Sequence, residues 1–220
     1  MPFQTSHTEV EARLLERAIE PGARVLEAGC GRTTRLRLHR ERIAELVGVD
    51  VDEAAGAEND QLDRFVSADL CGPLPFADAA FDVVYANFVI EHLHAPQAAF
   101  AEWHRVLERG GSLVLLTSNR SNPLLALARL LPHGARVAVK RAGAGAAERD
   151  VYPAVYRANS PERLSALLAA AGFTPVSVAC VATLHRYAGA RRVSGAALRA
   201  AERILPADRR STIVGWFRAA

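Results

Sequence analysis

Two short apolar runs in this chain each end at a carboxylate, and a glycine turn follows the first. Arg24-Val25-Leu26-Glu27-Ala28-Gly29-Cys30-Gly31 passes through Glu27 into a Gly-x-Gly turn. Leu46-Val47-Gly48-Val49-Asp50 ends in a second acid about twenty residues further on. Gly29 and Gly31 accept positive φ and carry no Cβ to hold a ligand off the backbone. Asp50 is acceptor-only and suits the two hydroxyl donors of a ribose. A pyrophosphate site would require G-x-G-x-x-G at a helix N-terminus. Here the turn reads Gly29-Cys30-Gly31-Arg32-Thr33-Thr34, the third glycine is absent, and Glu27 sets a carboxylate beside the turn. A carboxylate repels pyrophosphate and favours a cation. The ligand implied carries an adenosine-like ribose and a positive charge near Glu27, which argues against a nicotinamide dinucleotide.

Alternating elements must position these groups. Val10, Leu14, Leu15 and Ala18 recur at helical spacing over 9–19, and Pro21-Gly22 stops that helix. The first strand follows, and Thr33 or Thr34 is expected to cap a helix running to about residue 44. Strands are expected at 46–49, 65–68, 81–86 and 112–117, with only a short polar helix within 54–62. A helix over 96–108 has Pro96 in its first turn and glycines past its end. Beyond 118 the alternation breaks. Residues 123–131 read as a short apolar helix, and 142–150 as a glycine-alanine segment that opens locally at low cost. Ser160 caps a helix to 171 that Gly172 ends, and a strand (173–183), a helix (195–205) and a last strand (211–217) complete the chain.

The ribose and the cation together describe S-adenosylmethionine, and the chain resembles the class I S-adenosylmethionine-dependent methyltransferases. Glu27-Ala28-Gly29-Cys30-Gly31 matches the family's acidic glycine motif, although Thr33 stands where a third glycine is frequent. Val49-Asp50-Val51-Asp52 matches the ribose-binding end of strand two. Ser67-Ala68-Asp69-Leu70 before Leu74-Pro75-Phe76 matches the adenine turn. Phe81-Asp82-Val83-Val84-Tyr85-Ala86-Asn87 matches strand four, and Arg105-Val106-Leu107-Glu108-Arg109-Gly110-Gly111 the approach to strand five. The resemblance implies an α/β, Rossmann-like, doubly wound sheet of seven strands, mostly parallel with an antiparallel final strand. It implies one domain over 1–220, with helical cap segments at about 119–158 and 184–208. It also implies that Glu27, Gly29, Gly31, Asp50, Val51, Asp69, Leu70 and Asn87 bind S-adenosyl-L-methionine.

Methyl transfer needs a positioned acceptor, excluded water and, for a hydroxyl acceptor, a base. Asn87-Phe88-Val89-Ile90-Glu91-His92-Leu93-His94 lies just after strand four, at the end that faces the ligand crevice in such sheets. His92 is the candidate base, and packing that orders the loop is the other role open to it. Glu91-His92 is similar to part of a metal motif in related O-methyltransferases, but Phe88 replaces its other acid and cannot ligate, so no metal is expected. Tyr156 and Arg157 in the cap are candidates to bind an acceptor by stacking and charge, or to anchor that segment.

Composition narrows the setting. A chain of 220 residues can bury the core of one domain. It contains no apolar run approaching the ~18 residues of a membrane span. Met1 to Glu9 is polar and lacks a signal-peptide pattern, and Cys30, Cys71 and Cys180 are too scattered for a disulfide framework, so a cytoplasmic location is expected. Net charge is only +3, and Lys140 is the sole lysine. Arginine abundance is therefore no sign of nucleic acid. The strand-four loop also lacks an Asn-Pro-Pro-Tyr type of base-flipping motif, so no nucleic-acid partner is expected. The function expected is methyl transfer to a small-molecule or glycan acceptor, lipid-linked ones included, most simply on oxygen. A cofactor-binding module without turnover, acting as a partner or scaffold, is the alternative.

Overall fold

The computed structural model describes residues 7–129, 153–184 and 192–220. Seven strands form one sheet: β1 (Ala23–Ala28), β2 (Ile43–Asp50), β3 (Arg64–Ser67), β4 (Phe81–Asn87), β5 (Leu107–Ser118), β6 (Phe173–Val181) and β7 (Thr212–Ala219). Their spatial order is β3-β2-β1-β4-β5-β7-β6. The first five pair in parallel, and β7 runs antiparallel to both β5 and β6. The order reverses between β1 and β4, so a crevice opens beyond their carboxyl ends.

Alternating side chains supply two cores. Leu26, Ala28, Val84, Ala86, Leu113 and Leu115 face α3 (Pro96–Val106) and α5 (Pro161–Ala170), where they meet Phe100, Trp103, Leu164 and Leu168. Val25, Val83, Tyr85, Val114 and Leu116 face the other way, toward Leu14, Leu15, Ala18 and Ile19 of α1 (His7–Ala18) and its end. Burial on both faces explains why these strands read as unbroken apolar runs in the sequence.

Most expected elements are present with shifted ends. A clear correction is the helix expected from Thr33 or Thr34 to residue 44. Only a 3-10 segment, Leu36–Arg42, forms there, and β2 already begins at Ile43. Thr34 does accept a backbone bond, from Leu36 at 2.9 Å, but this closes a local turn and starts no α-helix. The segment has no apolar stripe: Leu36 is buried while Leu38 is 70% exposed. The polar helix within 54–62 shrinks to α2 (Glu53–Ala57), capped by Asp52 through Ala55 N–H at 2.9 Å. Helix α3 stops at Val106 and passes directly into β5, so Gly110 and Gly111 lie inside a strand with a register shift. The 142–150 segment lies outside the described residues.

Helix α4 (Pro123–Arg129) is capped by Asn122, which accepts from Leu125 N–H at 2.9 Å. Ser160 caps α5 through Arg163 N–H at 3.2 Å, and Gly172, at φ +96°, ends it. Helix α6 (Arg192–Ile204) precedes β7. No helix among the described residues is long and apolar enough to cross a membrane.

One ion pair fastens the amino-terminal ends of β1 and β4. Asp82 accepts from Arg24 N–H at 2.6 Å and from its guanidinium at 2.8 Å. Burial pushes the Asp82 carboxyl up, but the Arg24 side-chain and backbone hydrogen bonds and its charge outweigh that and hold it below its usual value. A depressed carboxyl stabilises the fold above its unfolded pKa and loses that contribution as pH falls through the folded value. Asp82→Ala should therefore cost about 1–2 kcal/mol at pH 7. The Tm should drop by roughly 2–8 °C. The gap should narrow as pH falls below about 4. Thermal melts across pH 3–8 check this, and a gap equally large at pH 3 would contradict it.

Candidate cofactor and acceptor site

The glycine turn is locked to the end of β2 before any ligand arrives. Gly29 and Cys30 N–H both donate to Val49 O, at 2.8 and 3.2 Å. Gly31 N–H donates to Asp50 Oδ2 at 2.9 Å, and Asp52 N–H donates to Asp50 Oδ1 at 3.0 Å. Each Asp50 oxygen keeps a second lone pair, so the carboxylate is aimed and still able to accept two hydroxyls. Gly29 (φ +74°) and Gly31 (φ +51°) both hold left-handed backbone. They differ in surroundings. A Cβ at Gly29 would meet Val89 Cγ2 at 2.5 Å, whereas one at Gly31 would meet nothing within 4 Å. Gly29 thus lets the β4 loop pack close, and Gly31 leaves the ligand side open.

Glu27 sits one strand over from Tyr85 in the β1–β4 pairing and is 3% exposed. Its Oε2 is buried without a hydrogen-bond partner. Burial pushes its carboxyl up to about 8 against the lowering bond from Thr34, and the Glu11 and Asp50 charges add to the rise. A buried, underbonded acid at the mouth of a crevice fits the ammonium or sulfonium of S-adenosylmethionine, which would restore the missing partner. On the far side of the turn, Val51 is 62% exposed at the end of β2. Asp69 accepts Cys71 N–H at 2.9 Å, while Leu70 beside it is buried. Ala68 N–H on Asp50 O, at 3.1 Å, brings this turn alongside the ribose carboxylate. Asn87 closes β4 with its Oδ1 buried and unpartnered, and Phe88 follows at φ +53°, a strained angle for a residue with a side chain. The fold therefore gathers Glu27, Gly29, Gly31, Asp50, Val51, Asp69 and Asn87 at one end of the sheet.

The β4 loop carries the acceptor-side candidates. His92 Nδ1 lies 2.8 Å from Pro153 O. A carbonyl only accepts, so Nδ1 carries the ring proton and Nε2 is the basic atom. Tyr156 is half-buried at φ +53°, and Arg157 is exposed. Backbone N–H groups of Val155 and Tyr156 donate to Glu91 O at 2.8 and 3.1 Å, which fixes this segment against the loop.

Glu91 has a role that its sequence context hid. It is buried and accepts from Thr117 Oγ1 at 2.7 Å and Ser118 Oγ at 2.9 Å. Asn159 Nδ2 in turn donates to Thr117 Oγ1 at 2.6 Å. Its carboxylate joins the β4 loop to the end of β5 and is not turned to a metal. The signal present in the sequence was an acid directly after the apolar Val89-Ile90, with paired hydroxyls at the end of strand five. Glu11 of α1 was also missed: it is buried, accepts from Tyr85 Oη, and pairs with Arg35 at 3.2 Å, tying α1 to the glycine-turn side.

Known proteins share this fold. Residues 26–115, from β1 into β5, match the family model described as a methyltransferase domain. The chain is 32% identical over 124 residues to malonyl-[acyl-carrier protein] O-methyltransferase of Enterobacter lignolyticus, covering 53% of this chain and 49% of that one. It is 40% identical over 126 residues to the ubiquinone/menaquinone biosynthesis C-methyltransferase UbiE of Roseobacter denitrificans, covering 57% and 48%. The chain thus spans about half the length of the curated relatives it matches. The solved geranyl diphosphate C-methyltransferase of Streptomyces coelicolor A3(2), bound to S-adenosyl-L-homocysteine, superposes with TM-score 0.65 at 15% identity, covering 97% of this chain and 79% of that one. The strand order and crevice define a Rossmann-like methyltransferase fold. Over residues 26–115 the chain is similar to methyltransferase domains, and its fold is the one the methyltransferase structures share.

The raised Glu27 carboxyl sets a pH dependence. The deprotonated form holds a cation, so affinity for S-adenosylhomocysteine, through its ammonium, should rise as pH goes from 6.5 to 8. Glu27→Gln should flatten that rise. Calorimetric titration at several pH values tests it, and an identical slope in wild type and variant would remove Glu27 from the site.

Proposed function

We propose that this chain transfers the methyl group of S-adenosylmethionine to a hydroxyl of a small-molecule or glycan acceptor. The observation that carries the reading is the pair of acids flanking the glycine turn. Asp50 is aimed by two backbone N–H groups, and Glu27 is buried with an unpartnered oxygen. S-adenosylmethionine when bound supplies an activated methyl and its own leaving group. Asp50 holds the ribose hydroxyls, Asp69 accepts from the adenine amino group, Leu70 backs the ring, and Glu27 holds the ammonium. Val51 lies against the adenosine, and Asn87 closes the crevice from β4.

His92 is the base of this proposal. Its Nδ1–H on Pro153 O fixes the ring, so Nε2 removes the acceptor proton as the oxygen attacks. Tyr156 and Arg157 hold the acceptor from the segment that Glu91 fastens beside the loop. Segments 119–158 and 184–208 of this single domain act as the acceptor-side cap, and the setting is the cytoplasm. Relatives named as O- and C-methyltransferases show that one domain type serves both kinds of acceptor atom, and the oriented imidazole favours oxygen here.

Two measurements test this. Asp50→Ala should weaken S-adenosylhomocysteine by about ten- to a hundredfold, from the loss of charge-assisted bonds of roughly 1.5–3 kcal/mol. NAD should give no thermal shift with either protein; a shift with NAD and none with S-adenosylhomocysteine would reverse the cofactor assignment. In a screen of hydroxylated acceptors, His92→Ala should lower kcat by about 10²–10⁴-fold and leave cofactor affinity unchanged. Cofactor binding without methyl release to any acceptor would favour the non-catalytic module instead.

A further inference from the structure

The fold brings together three ligand-bearing side chains that no motif in the sequence links. Asp69 and Cys71 come from the turn after β3, and His94 from the loop just before α3. One ligand atom of each lies within 4.8 Å of the others. His94 Nε2 is 3.9 Å from Asp69 Oδ2. The opposite carboxylate oxygen is fixed by Cys71 N–H, so Oδ2 is the oxygen turned to the imidazole. The Cys71 sulfur accepts Ala95 N–H at 3.4 Å, and Ala95 is the N-cap of α3. That contact holds the sulfur at the start of an eleven-residue helix.

The geometry points to a thiolate–imidazole–carboxylate site for a zinc-class divalent ion at the adenine end of the crevice. Sulfur, nitrogen and oxygen donors in one set suit Zn²⁺, and three protein ligands leave a fourth position for water. Tetrahedral zinc asks for donor atoms about 3.3–3.8 Å apart, so the cluster closes by about 1 Å. Asp69 and His94 are both exposed and can rotate that far. The thiol gives its proton to solvent on binding. This set is unrelated to Glu91, whose carboxylate is already occupied.

The consequence rests on the cofactor reading above. Cys71 N–H already engages Asp69 Oδ1, so an ion on Oδ2 takes the oxygen that the adenine amino group would use, and the metal and the cofactor compete. Zinc then acts as an inhibitor that competes with S-adenosylmethionine.

Cobalt provides a direct probe. The reduced, metal-free chain should bind one equivalent of Co²⁺ with a thiolate-to-cobalt charge-transfer band, which Zn²⁺ bleaches. Cys71→Ser should lose the band, and His94→Ala should weaken metal binding at least tenfold. Both should fold as wild type by circular dichroism and bind S-adenosylhomocysteine normally without metal. With free Zn²⁺ at ten times its own Kd, mutually exclusive binding raises the apparent Kd for S-adenosylhomocysteine about elevenfold. His94→Ala should abolish that effect. A band that survives in Cys71→Ser, or no stoichiometric binding, overturns the site. Unchanged S-adenosylhomocysteine affinity with zinc bound overturns the competition. A cobalt band in a protein that never binds S-adenosylhomocysteine leaves the metal site standing and removes the cofactor reading.

Discussion

The bond from Gly31 N–H to Asp50 fixes where a ligand can lie. It joins the turn after β1 to the end of β2, two places separated by a 3-10 segment and a full strand. With Gly29 and Cys30 both on Val49 O, the turn has no freedom to move relative to the carboxylate. The Asp50 carboxylate is therefore oriented by the fold itself, so a ligand bound to it would require little reorganisation there. The same bonds explain why the turn tolerates Arg32-Thr33-Thr34 in place of further glycines. Nothing after Gly31 has to approach a phosphate, so the chain turns on Thr34 and enters an irregular stretch.

A second lock works after β4 through Glu91. Its carboxylate takes two hydroxyls from the end of β5, and its carbonyl takes two N–H groups from residues 155 and 156. Asn159 closes the set through Thr117 Oγ1 and Ser118 O. Removing Glu91 would free three segments at once, so its effect on turnover would pass through position and not through chemistry. His92 gains its orientation from the same neighbourhood, since Pro153 is carried in by that segment. One set of bonds lies at the end of β2 and the other follows β4, so both act at the carboxyl ends of the parallel strands.

The sequence was legible where local pattern and tertiary burial agree. Strands buried on both faces announce themselves as apolar runs, and caps such as Ser160 act within four residues. It was illegible where a partner distant in sequence decides. Residues 43–44 look helical in isolation, yet pairing with β1 from Ala23 onward makes them strand. Glu91 resembled half of a metal motif because its real partners, Thr117 and Ser118, are 26 and 27 residues away. Glu11 was hidden for the same reason, its tyrosine partner lying 74 residues off. Around the candidate site, the glycine turn and the strand-end acids stand out in the sequence by their spacing, while the hydrogen bonds from Gly31 and Asp52 that orient Asp50 do not.

The electrostatics of Glu27 favour a cation beside it over an anion. Its buried carboxyl holds its proton to about pH 8, whereas the unfolded chain releases it near pH 4.3. The folded state therefore binds more protons across that window, and its stability falls as pH rises through it. An anion bound there would deepen the penalty, since Asp50 and Glu11 already crowd the same region with negative charge. A cation reverses it: the proton leaves, the orphaned oxygen gains a partner, and the desolvation cost is offset by direct attraction in a poorly screened site. A positively charged nucleoside at Glu27 would therefore offset a cost that a nucleotide phosphate would deepen.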